Sequence, residues 1–342
     1  MTEETGNNVN ESLASRLAII ALLAVLIAGC GHLREFFIPS APGVAAEWAA
    51  LLDEIRAFER RIGFQETGNF LDLSREQEPI PFCGYASRLQ LPYSYEDPAI
   101  QWTDAVTEQE CREISHDADA FFGAVEVWGE VGTPVTPAMI TGKLDRFLYL
   151  VIHEDCHDQF DLPYGIEEAL CNLITFKAIA AFSEEQFGVY ARENRAIRRY
   201  ADEQSKRTRA TLTYYEQLAM LYARYERTEI SSDVLLRQRA AIFNKAERAL
   251  AWTRGELNNV GIANDMTYSR HYPFLESVFE ALGRDLARTV AFFRHVDTIK
   301  PSSAAVMKQH RIATEHSVEF IRAYEAATVE TIRKALAEQK NG

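Results

Sequence analysis

Leu150-Val-Ile-His-Glu-Asp-Cys-His157 is the stretch on which the reading of this chain turns. His153 and His157 stand four residues apart, with Glu154 beside the first. On a helix, residues so spaced share a face, one turn above the other. Two imidazoles on one face can ligate a single zinc ion, and the neighbouring carboxylate can then reach a metal-bound water. The segment before the motif supplies that helix: apolar residues at 144, 147, 148, 151 and 152 follow amphipathic spacing. The stretch therefore predicts the working core of a zinc hydrolase on a core-facing helix.

A third ligand is expected downstream, in Pro163-Tyr-Gly-Ile-Glu-Glu-Ala-Leu-Cys-Asn-Leu-Ile174. Pro163 and Gly165 break the first helix, and a second apolar-rich helix is expected to begin near Ile166. Glu167 and Glu168 lie in its first turn, where acidic residues also complement the helix dipole. Either carboxylate can complete a His2Glu site that leaves the fourth position to water. Asp155, inside the motif, is expected either to alter the electrostatics of the metal or to face solvent.

At these residues the chain resembles a family of bacterial zinc aminopeptidase lipoproteins related to the gluzincins. Its members carry a His-Glu-x-x-His helix followed closely by an Asn-Glu-small-aromatic-Ala segment. Glu167-Glu168-Ala169-Leu170-Cys171 is similar to that second segment. The resemblance makes Glu168 the third metal ligand and leaves Glu167 behind it or at the surface. Ile55-Arg-Ala-Phe58 through Gly68-Asn-Phe70, and Leu257-Asn-Asn-Val260 with Tyr268 and the helix expected from Pro273 to Phe293, resemble further parts of the family in the same order. The implied activity is hydrolysis of peptide bonds. Asp155 and Glu167 depart from the family pattern.

The expected fold is mainly α (α+β): a zincin-like core with a small antiparallel sheet and a helical C-terminal half. Residues 64–103 hold Pro79, Pro81, Pro92 and Pro98, and short runs such as Tyr85-Ala-Ser-Arg-Leu-Gln-Leu91 read as strands. A substrate strand could add along the edge of such a sheet. Helices are expected near 44–61, after a capping box at Thr107-Glu-Gln-Glu110, across 191–227, and near 231–256, 273–295 and 303–337. The charged run from Arg192 to Arg199 reads as a solvated helix face.

Leu17 to Gly29 is an unbroken run of apolar and small residues, long enough for a signal sequence and short for a spanning helix. Ile27-Ala28-Gly29-Cys30 resembles a bacterial lipobox, in which the cysteine is lipidated. The expected organisation is a signal peptide over 1–29, a lipid-anchored linker over 30–43 and one catalytic domain over 44–342. The anchor places the protein in the cell envelope, and Gly31 after the cysteine points to the outer membrane, facing the periplasm, where there are two membranes. A net charge of −14 argues against nucleic-acid partners. Four further cysteines, Cys83, Cys111, Cys156 and Cys171, allow two disulfides in three pairings, or buried free thiols. A bridge between Cys156 and Cys171 would pin the ligand helices together.

In the expected reaction, Glu154 takes a proton from a zinc-activated water and delivers it to the leaving amine. Tyr268, His271 and Tyr272, clustered after Asn258-Asn259, are candidates to steady the oxyanion, with Tyr268 preferred. Glu167, Asp161 or Asp158 would hold a substrate's free amine. The alternative is a non-catalytic envelope scaffold with a structural or vestigial metal site.

Overall fold

The motif stretch is helical, and the rest of the fold is arranged around it. A computed structural model describes residues 46–74, 80–103, 107–125 and 132–341; Cys30 and its apolar leader lie outside the described residues. The motif helix α4 (Leu144–His157) buries Phe147, Leu148, Val151 and Ile152. Helix α5 (Tyr164–Phe187) follows it and is buried on nearly every side, from Ile166 to Phe182, as a central helix must be. Helices α1 (Ala46–Arg61), the short α3 (Pro137–Thr141), α9 (Tyr272–Ala281), α10 (Leu286–Ile299) and α12 (Val318–Asn341) contribute to the same core. A second core lies between α6 (Arg192–Glu226), α7 (Ser232–Leu250) and α8 (Asn259–Ser269). The described residues are thus mainly helical, with one small antiparallel sheet.

In that sheet β1 (Ile80–Ala86) lies between β2 (Gln101–Thr103) and β3 (Asp119–Val125), all antiparallel. Two strands fall in the region expected to hold the sheet; β3 lies beyond it, in sequence expected to be mostly helical. The strand expected over Tyr85–Leu91 ends at Ala86. Its later carbonyls bond elsewhere: Tyr222 donates to Arg88 O at 2.9 Å and Asn259 Nδ2 to Gln90 O at 2.8 Å. Helix α2 (Glu108–Ser115) begins with the expected capping box at Thr107 and is tied to β1 by the Cys83–Cys111 disulfide.

Three of the expected helices differ from expectation, and a fourth helix was not expected. The stretch 273–295 is broken into α9 and α10 at Gly283 and Arg284, whose φ values of 84° and 58° no helix accommodates. The stretch 303–337 is broken into α11 (Ser303–His310) and α12 by Arg311, also left-handed at φ 58°. Helix α7 ends at Leu250, short of 256. Helix α8 had no counterpart in the apolar periodicity because it is buried on most sides, polar Asn259 and Thr267 included.

Candidate active site

Six elements meet at one cleft of about 610 Å³: α4, α5, the paired helices α6 and α8, and strands β1 and β3. The i, i+4 geometry of α4 brings His153 Nε2 and His157 Nε2 to 3.3 Å. From α5, Glu168 Oε2 lies 3.2 Å from His153 Nε2 and 3.4 Å from His157 Nε2. These atoms form a nearly equilateral triangle. A tetrahedral ion with bonds of about 2.0–2.1 Å has ligand–ligand edges of about 3.3–3.4 Å. Among the described residues, buried Glu168 Oε2 meets no aligned hydrogen-bond donor, which leaves it able to share one ion with the two imidazoles. The donor set and its spacing therefore fit a divalent cation.

Electrostatics at the trio agree with that reading. Burial pushes the Glu168 carboxyl up, but the two facing imidazoles outweigh it and hold the group well below the carboxylate range. Burial pushes His157 down, while Glu167 and Glu168 together raise it well above an ordinary histidine. A cation at the centre of the triangle would replace the proton that this excess of negative charge attracts.

Glu167 is not a surface residue. Its Oε1 lies 2.9 Å from His157 Nδ1, and its Oε2 accepts from Leu162 N at 2.8 Å. The carboxylate fixes the ring so that Nε2 points to the triangle, as a carboxylate behind a ligating histidine does. Tyr149 lies one turn before His153 and stacks on its ring at 5.0 Å. Its hydroxyl donates to Asn172 Oδ1 at 2.7 Å, one turn beyond Glu168. The two helices that carry the trio are also joined covalently, by a Cys156–Cys171 disulfide with Cα atoms 5.6 Å apart.

Glu154 lines the cleft beside the triangle. Burial raises its carboxyl, opposed by His153 and His157. Tyr268 also lines the cleft, and the nearby Glu168 charge, with burial, keeps its hydroxyl protonated as a donor. His271 and Tyr272 do not: His271 pairs with Glu325 at 3.0 Å and Tyr272 is fully buried against Ser205. Tyr164, one turn before Glu168, lines the cleft and was missed by sequence reasoning, as were Tyr149 and Asn172. The four-residue series 149-153-157 and 164-168-172 was the available signal.

Asp155 takes neither place expected of it. Two residues beyond His153, it projects from another side of α4 and is buried. It accepts from Thr67 Oγ1, and from Asn69 Nδ2 at 2.9 Å. Asn69 also donates to Asp158 Oδ2 at 3.0 Å and accepts from Thr133 N at 2.9 Å. Gly68-Asn69-Phe70 is thus a clamp on the back of the motif helix. Asn258-Asn259 is likewise structural: Asn258 caps α8, and Asn259 N donates to Asp119 Oδ2 at 3.0 Å. Of the groups expected to hold a free amine, none lines the cleft: Glu167 holds His157, Asp158 holds Asn69, and Asp161 is in solvent.

No curated protein and no solved structure matches the chain. Residues 103–309, more than half of the sequence and the whole of the trio, match the family described as "Putative aminopeptidase", and the chain belongs to that family.

Proposed function

We propose that this protein is a zinc-dependent metallopeptidase, acting as an aminopeptidase, with His153, His157 and Glu168 as the ligands. The observation that carries the reading is the triangle of ligand atoms, 3.2–3.4 Å on each edge, with Glu154 beside it in the same cleft. The ion supplies Lewis acidity, acidifying a water and polarising the scissile carbonyl. Glu154 accepts the proton of the attacking water and returns it to the departing amine, a role favoured by the burial that raises its carboxyl. Tyr268, kept protonated, donates to the oxyanion. Glu167 and Tyr149 hold the ligand rings in place. β3 is an outer strand of its sheet, and Gly123, Ala124 and Val125 line the cleft, so a peptide can lie alongside it.

The lipobox-like Ile27-Ala28-Gly29-Cys30 supports a lipid anchor at Cys30 after removal of residues 1–29, holding the catalytic domain over 44–342 at the cell envelope, on the periplasmic face of the outer membrane in a diderm organism. The test is metal analysis with a peptide-library digest of wild type and Glu154→Gln. The reading requires about one zinc per chain in both, hydrolysis by wild type, and loss of hydrolysis in Glu154→Gln. A metal-free wild type, or equal hydrolysis by both, overturns it.

A further inference from the structure

The cleft has two unlike walls. Helices α6 and α8 present Gln204, Thr208 and Asn264, whereas the sheet presents rings. The register explains why those rings lie as a platform. Phe82 pairs with Gly123, and Gly84 pairs with both Phe121 and Trp102, so all five project from one face. Each of two glycines makes room for a ring: a Cβ on Gly123 would meet Phe82 Cζ at 2.5 Å, and one on Gly84 would meet Trp102 Cζ3 at 2.5 Å. Phe82 therefore lies across β3 and Trp102 across β1. Phe82 contacts Phe121 at 5.7 Å and Trp102 at 5.8 Å between ring centres. Tyr95 extends the surface, 4.3 Å from Trp102 and 6.2 Å from Tyr164. The other face of the sheet is closed by α2, through Cys83–Cys111 and the packing of Phe122.

Phe82, Phe121, Tyr95 and Tyr164 all line the cleft and are only half-buried, and Tyr164 stands one helical turn before Glu168. An aromatic surface thus runs up to the triangle of ligand atoms, beside an outer strand. Half-exposed rings gain most from a large apolar partner, by burial and by ring–ring contact. We infer that this platform is the side-chain subsite of the cleft, and that it selects peptides carrying a large aromatic or apolar side chain next to the scissile bond. The inference rests on the peptidase reading for the words "scissile bond", but the binding preference stands apart from turnover.

The test therefore reads binding and hydrolysis separately. Tripeptides X-Ala-Ala and Ala-X-Ala, with X as Phe, Leu, Ala, Lys or Glu, are titrated calorimetrically into the zinc-loaded Glu154→Gln protein. The same peptides are digested with wild type, and the two series distinguish which side of the bond the platform reads. Phe or Leu should bind about tenfold or more tighter than Ala in one series, the discrimination a hydrophobic subsite supplies. Phe82→Ala in the Glu154→Gln background should collapse that ratio while zinc content is retained, and Phe82→Leu should keep most of it. A flat profile, or a preference for Lys or Glu pointing to the Arg207–Asp265 pair on the opposite wall, overturns the inference even if every peptide is cleaved. Aromatic-selective binding without cleavage by wild type supports the platform and overturns the peptidase reading alone.

Discussion

The Tyr149 hydroxyl donates to Asn172 Oδ1 at 2.7 Å, joining the two helices that carry His153, His157 and Glu168 one turn outside that trio on each side. Asn172 is buried, and the Tyr149 ring lies against His153. Tyr149→Phe keeps the stacking and strands the Asn172 carbonyl. It should cost about 1–3 kcal/mol in denaturant unfolding, the penalty of an unpaired buried acceptor. A double-mutant cycle with Asn172→Leu should show that the two changes are coupled. Additive losses would mean that the bond contributes nothing specific.

Glu167 acts on the same trio through His157. Glu167→Gln keeps the shape but removes the charge behind the ring, and a ligating histidine depends on that charge for orientation and basicity. With the trio as the proposed zinc site, zinc affinity measured by competition with a chelator should fall about 10–100-fold. Unchanged affinity would show that His157 is held by its helix alone.

The Cys156–Cys171 bridge closes a ring with a sequence separation of 15 residues, inside which lie His157, Glu167 and Glu168. A loop of that length is worth about 3 kcal/mol in chain entropy. The double variant Cys156→Ala, Cys171→Ala should unfold at correspondingly lower denaturant concentration and release zinc faster to a chelator. If only the unfolding midpoint moves, the bridge stabilises the fold without tuning the site.

How much of this was legible in the sequence follows from the reach of each interaction. His153, His157 and Glu168 were readable because helix geometry fixes which side chains share a face within a few residues. Tyr149 and Tyr164 obey the same period and were readable in principle. Asp155 was not: its partners Thr67 and Asn69 are more than eighty residues away, and only tertiary packing brings them to α4. The strand at Tyr85–Leu91 failed for a similar reason. Its carbonyls are claimed by Tyr222 and Asn259, far along the chain, rather than by a neighbouring strand. The break between α9 and α10 carried a local sign, Gly283, which continuous apolar spacing on both sides outweighed.

The back of the motif helix sets a pH dependence through a buried carboxyl outside the cleft. Glu59 on α1 is buried beside Asp155. Its carboxyl is pushed up to about 9, first by burial and then by the charge of Asp155 and a hydrogen bond to it. Asp155 is raised too, chiefly by burial. Two carboxyls sharing one site cannot both ionise readily, so the folded protein keeps a proton there at neutral pH. The unfolded chain releases it near the ordinary value of 4.5. The folded state therefore binds more protons than the unfolded state between those limits. Stability from this group is complete below about 4.5 and is lost progressively as pH rises toward 9. The slope for one proton is about 1.4 kcal/mol per pH unit. Glu59→Gln supplies a neutral donor to Asp155 without that proton. Urea unfolding at pH 5, 7 and 9 should find the variant gaining on wild type at each step, with the largest advantage at pH 9. Parallel stability curves for the two proteins would place the shared proton elsewhere.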